Sequence, residues 1–230
     1  MKAKTLIKPH HDKCLLASLA LALAGATGAN AGIVVQFLGV SPAELISLTA
    51  SGAINFSYGA GEVYAGIYNN TVNGVFAPGF CIDVDRDSAS TSDYGYASLA
   101  GSPLPPSGPM GAAAAKTISQ LWYANFAAAE SDGSGATAAA LQLAIWETVA
   151  NGTGTYTVSS GGDPTSDAAQ AGATAMLTGL TSSSPGAMLT GLYSPTSQNY
   201  VVVPEPATWT CLAGLGLLGF VGYRQLSAKS

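Results

Sequence analysis

The chain has 230 residues, with 13 Asp and Glu against 8 Lys and Arg, a formal net charge of −5, and 9% charged residues. That length accommodates one ordinary domain with flanking segments. The acidic balance argues against nucleic acid and anionic membrane surfaces as partners, because binding there needs clustered Lys and Arg.

The first segment has the three parts of a secretory signal peptide. Lys2, Lys4, Lys8 and Lys13 form a basic region, Cys14 to Ala24 an apolar core too short to span comfortably, and Ala29-Asn30-Ala31 a small-x-small cleavage site before Gly32. Removal of residues 1–31 is the expectation.

Short strands follow. Ile33–Val40, Leu45–Thr49, Ala53–Tyr58, Glu62–Ile67 and Val75–Val84 are each expected as one, with turns at Asn69-Asn70 and Asn73-Gly74. Asp87–Pro109, rich in Ser, Gly and Pro and carrying Tyr94 and Tyr96, reads as a long loop. Helical patterning then predicts Ala112–Ala129, with Ile118, Leu121, Trp122, Tyr123 and Phe126 as its apolar side chains. A second helix is predicted at Ala136–Ala150, with a stripe of Leu141, Ala144, Ile145, Thr148 and Val149. Asn151-Gly152 ends it, and a third is expected at Ser166–Leu180, opened by Asp167. A last strand, Gln198–Val203, leads into the tail. The fold class expected from this order is α+β: an antiparallel sheet or barrel of short strands with two or three helices.

The tail combines Val203-Pro204-Glu205-Pro206, an uncharged run Ala207–Tyr223, and Arg224. Its 17 apolar-run residues would rise about 26 Å as a helix, close to the lower limit for the ~30 Å hydrocarbon core. Pro204 and Pro206 stop the helix upstream, and Arg224 and Lys229 favour a cytoplasmic end. This layout resembles the PEP-CTERM sorting tail of bacterial exported proteins. The resemblance implies processing near Pro204–Pro206 by a membrane protease of the exosortase type. It also implies delivery to the cell surface or extracellular matrix after transient anchoring in the inner membrane through the C-terminal helix. The organisation is then a signal peptide at 1–31, an extracellular domain at 32–202 and a sorting tail at 203–230, with a transmembrane helix at about 207–223.

Between the ends, eleven carboxylates stand against Arg86 and Lys116, a net charge of −9. Both histidines, His10 and His11, fall in the signal segment. Ser-His and Cys-His hydrolase chemistry and His-ligated zinc are therefore excluded from the domain. Of three cysteines, Cys14 lies in the signal and Cys211 in the tail, which leaves Cys81 as a lone thiol unable to form an internal disulfide.

Two motifs could use that thiol: Phe80-Cys81-Ile82-Asp83 on a strand, and Leu141-Gln142-Leu143-Ala144-Ile145-Trp146 on a helix. Together, over about Tyr64 to Val149, they resemble bacterial thioester domains. In that family a strand cysteine and a helix glutamine close an internal thioester. The resemblance implies Cys81 as thiol, Gln142 as acyl donor, and Phe80 and Trp146 as shielding rings. It implies an adhesin-like function, covalent attachment to an amine-bearing surface or matrix target, with no enzymatic turnover and no cofactor. Gln142 and Trp146, four residues apart, share one helix face. The alternative is a non-covalent structural component of an exopolysaccharide or biofilm matrix, with Cys81 as a buried small hydrophobe. Asp83, Asp85 and Asp87 alternate and would share one strand face. As a calcium loop they fail, since Ser88 replaces the turn glycine and Tyr94 the terminal glutamate. No metal is expected.

Overall fold

The structure is a computed structural model that describes residues 32–52, 61–83, 86–104, 108–153, 156–160 and 162–204. The expected signal peptide, the strand at Ala53–Tyr58 and the expected span at 207–223 lie outside the described residues. Among those described, no helix is long and apolar enough to cross a membrane.

The fold is α+β. An antiparallel sheet is built from β1 (Ile33–Gly52), β2 (Glu62–Val72), β3 (Val75–Phe76), β4 (Gly79–Cys81), β5 (Thr91–Ser98), β8 (Tyr156–Ser160), β9 (Thr190–Tyr193) and β10 (Tyr200–Val202). A two-residue hairpin, β6 (Pro103–Leu104) and β7 (Gly108–Pro109), stands apart. Among the described residues three α-helices accompany it: α1 (Ala112–Ser131), α2 (Ala136–Thr153) and α3 (Pro164–Thr178). The strand order is β3-β2-β4-β10-β9-β5-β1-β8, with a further pairing of β1 to β2.

The long β1 replaces the two strands expected at Ile33–Val40 and Leu45–Thr49. The break signal between them, Gly39 to Pro42, produces register shifts instead of a chain reversal, at Phe37/Gly39 and Val40/Ala43 against β2. Gly39 adopts φ +128°, a conformation that a bulge uses and that a side chain disfavours. One strand can therefore serve three partners: β5 at Ile33 and Val35, β2 from Val35 to Ser47, and β8 from Leu48 to Gly52. Asn73-Gly74 makes the expected turn, both with positive φ, joining β2 to β3.

Two expectations are corrected along the way. The strand expected at Val75–Val84 is two short pieces ending at Cys81. The expected loop Asp87–Pro109 contains β5 and a 3-10 turn at Leu99–Gly101. In β5, Tyr94 is 3% exposed and Tyr96, two residues on and on the same strand face, is 45% exposed, so only the first is covered. A strand of Ser, Thr, Gly and Tyr with one buried tyrosine carries too little hydrophobic contrast to be read locally.

The helices fall close to their expected places. In α1, Ile118, Leu121 and Trp122 are buried, while Tyr123 faces solvent at 61% exposure. In α2 burial is continuous from Ala138 to Trp146 rather than confined to a stripe, which is the pattern of a helix covered on all sides. Alanines there allow close approach: a Cβ placed on Gly172 of α3 would lie 2.7 Å from the Ala140 Cβ. Helix α3 begins earlier than its expected start at Ser166. Asp163 is its N-cap, accepting from Thr165 N at 3.1 Å and Ser166 N at 3.0 Å, and Pro164 supplies the first helical residue. Ser166 Oγ also accepts from Ser47 N at 2.9 Å, which ties α3 to β1.

Candidate functional site

The site is built where β4 ends. On a strand, successive side chains face opposite sides. Phe80 turns toward α1, its ring edge-on to Trp122 at 5.4 Å and to Phe126 at 6.3 Å. Cys81, the cross-strand partner of Tyr200, faces the other way. Both residues are fully buried. The shielding role expected of Phe80 is accordingly not where its ring lies: it packs the α1 face of the strand.

The β2–β4 pairing is made at Tyr68 and Gly79. Two residues further on, the peptide groups of Cys81 meet a side chain instead of a strand. Cys81 N–H donates to Gln142 Oε1 at 2.9 Å, and Gln142 Nε2 donates to Cys81 O at 2.8 Å. The carboxamide of a fully buried helix residue thus acts as one rung of the ladder. On the opposite edge the next peptide stays in the sheet, Ile82 N donating to Asn199 O at 3.0 Å. Gln142 reaches this position because α2 packs against β2 and β4.

The sulfur has its own set of contacts. Trp146 Nε1, one turn after Gln142, donates to Cys81 Sγ at 3.3 Å. Asp83 N–H donates to Sγ at 3.2 Å, and the thiol faces Asp83 O at 3.1 Å. The polar edge of the indole is therefore aimed at the sulfur.

The chain beyond Cys81 is held to the loop that precedes β10. Arg86 Nε pairs with the Asp83 carboxylate at 3.3 Å, and its Nη1 donates to Ser194 O and Ser197 O. Gln198 Nε2 donates to Asp83 O at 3.1 Å, Gln198 N–H to Asp87 O at 3.1 Å, and Ser88 Oγ to Gln198 Oε1 at 2.6 Å. Tyr94 hydroxyl donates to Gln198 O at 2.7 Å. Burial pushes the Tyr94 and Tyr200 phenols far up, so both stay protonated at neutral pH.

The strand-face arrangement expected for Asp83, Asp85 and Asp87 does not form, because the strand stops before it. Asp83 is buried against Arg86, Asp87 is exposed, and Asp85 lies outside the described residues. Among the described residues no group of three or more His, Cys, Asp or Glu is placed to hold a metal ion. Lys116 sits on α1 and donates to Ser182 O at 3.1 Å.

The motif pair brings Cys81, Gln142 and Trp146 together. Sequence reasoning missed Arg86, Gln198 and the Asp83 peptide. Their contacts reach across more than a hundred residues of chain in two cases, and no local pattern announces them. Of the sorting-tail residues, Val203 and Pro204 follow directly on β10, Val203 at 47% exposure. Glu205, Pro206 and Arg224, like Ala29 and Ala31 of the signal cleavage site, lie outside the described residues.

Comparison with known proteins gives one match. The family described as the PEP-CTERM protein-sorting motif matches residues 202–225, starting at the last residue of β10. No curated protein and no solved structure matches the chain. The chain thus carries a PEP-CTERM sorting motif, which implies an exported protein, transiently membrane-anchored through its C-terminus and processed by an exosortase.

Proposed function

We propose that this exported protein is delivered to the cell surface or extracellular matrix. There it attaches covalently to amine-bearing targets through an internal thioester between Cys81 and Gln142. It acts once per molecule, as a stored reagent rather than an enzyme. The observation that carries this reading is the reciprocal pairing of the Gln142 carboxamide with Cys81, at 2.9 and 2.8 Å in a fully buried setting.

The chemistry follows from that pairing. The thiol adds to the Gln142 carboxamide carbon, ammonia leaves, and an acyl–sulfur bond remains. Holding the amide against the residue that bears the sulfur removes most of the orientational cost of such a step. The Cys81 N–H already donates to Oε1, the atom on which negative charge develops, so it can stabilise the tetrahedral intermediate. Burial keeps water from the product. A primary amine later attacks the acyl carbon, leaving an amide at Gln142 and a thiol at Cys81.

A second reading also has an observation behind it. The Gln142 amide satisfies both peptide groups of Cys81, so it can serve as a purely structural clamp on the end of β4. The protein would then be a non-covalent component of the matrix. Methylamine separates the two. On the first reading, treatment of the exported protein adds one methylamine at Gln142, located by peptide mass, and releases one titratable thiol. An unmodified Gln142 with the thiol present from the start favours the clamp.

A further inference from the structure

We propose that the Trp146 indole N–H is the donor that carries the Cys81 sulfur through its departure as a thiolate when the thioester is opened, an inference that rests on the thioester reading above. The sulfur is fully buried, yet its surroundings are polar. It receives N–H groups from Trp146 Nε1 at 3.3 Å and Asp83 at 3.2 Å, and it faces the Asp83 carbonyl at 3.1 Å. A neutral thiol is a weak acceptor, and a buried inert one packs as a small hydrophobe. A thiolate is a charged acceptor for which two N–H donors are well suited. The two N–H donors suit the sulfur's charged form, and the Asp83 carbonyl suits its protonated form.

The step balances within the site. The amine nitrogen bonds to the Gln142 acyl carbon as the carbon–sulfur bond breaks, and the electron pair of that bond goes to sulfur. Trp146 Nε1–H and Asp83 N–H hold the thiolate. The surplus proton of the attacking amine ends on sulfur, and the new S–H donates to Asp83 O. That carbonyl already accepts from Gln198 Nε2 at 3.1 Å and has a second lone pair for the thiol. The titratable neighbours do not compete. Tyr94 and Tyr200, which interact with the sulfur from β5 and β10, are kept protonated by burial, and the Asp83 carboxylate is paired with Arg86.

The test replaces the donor while keeping the ring. Trp146→benzothienylalanine preserves the bicyclic shape and lacks the N–H; Trp146→Phe is the simpler companion. Circular dichroism spectra matching wild type establish that a variant is folded. In the exported protein, the rate of methylamine opening should fall about tenfold or more in both variants, as for loss of one hydrogen bond to a charged group. The thiol released from the isostere should titrate about one pH unit higher than that from wild type, followed by thiolate ultraviolet absorbance. A folded isostere that opens at the wild-type rate with an unchanged titration overturns the donor role and leaves the thioester reading standing. If the wild-type protein carries its full amide mass, the thioester reading fails, and the donor role in its opening is overturned with it.

Discussion

Two buried glutamines lie on successive helices and do different work. Gln120 of α1 is 5% exposed and uses its Nε2 to donate to Thr181 O at 3.2 Å and Ser184 O at 2.7 Å. It clamps the loop after α3, helped by Lys116, and any donor of similar reach could replace it. Gln142 of α2 engages both halves of its amide with one residue, and that residue bears the only thiol among the described residues. Burial and satisfied hydrogen bonds are common to both. What sets Gln142 apart is that its amide is hydrogen-bonded to the peptide groups of the residue that carries the thiol. A buried glutamine is thus a candidate for chemistry only through its partner.

That contrast can be tested by removing each amide. Gln142→Ala should have the largest effect, about 3–5 kcal/mol of stability, because it strands two buried peptide groups and leaves a cavity. Denaturant unfolding measures this, and a loss below that of Gln120→Ala would break the comparison. Gln142→Glu keeps an acceptor for the Cys81 N–H but sets an anion against the Cys81 carbonyl, so it should fall below wild type and above Gln142→Ala. Gln120→Ala should cost about 1–2 kcal/mol, the ordinary range for lost hydrogen bonds to a surface loop. Amide exchange should locate the loosening at residues 181–184.

The smallest effect concerns acid. Asp163, the N-cap of α3, has its pKa lowered to about 2, chiefly by the hydrogen bond with the Ser166 side chain. Its folded value lies below the unfolded one, so its contribution is present above about pH 4 and is lost as the pH falls toward 2. Asp163→Asn keeps a capping oxygen without the charge and should flatten that part of the stability–pH curve. The Gln142–Cys81 pairing involves no carboxylate and should not loosen over the same range. A parallel acid loss at both places, followed by amide exchange, would contradict the distinction drawn between them.

The grouping of Cys81, Gln142 and Trp146 was anticipated through the resemblance of the two motifs to thioester domains. Taken singly, a cysteine inside an aliphatic strand segment and a glutamine on an Ala-rich helix read as ordinary buried residues. Phe80 shows where that reasoning overreached. Strand alternation turns it away from Cys81, and the period of two was available in the sequence. The tail motif was legible because its signals are contiguous. Strands β5 and β9 were not, since short segments of Ser, Thr, Gly and Tyr acquire strand character from partners distant in the chain. The anchoring of Asp83 by Gln198 is likewise a tertiary fact without a local signature.

The most direct measurement is the intact mass of the exported protein, purified without reductant, beside that of its Cys81→Ala variant. The account predicts a wild-type chain lighter than its sequence by one ammonia, and a variant at full mass after allowing for the substitution. A wild-type protein at full mass, with Cys81 titrating as a thiol before any amine is added, would contradict the covalent proposal and leave Gln142 as a clamp on the end of β4.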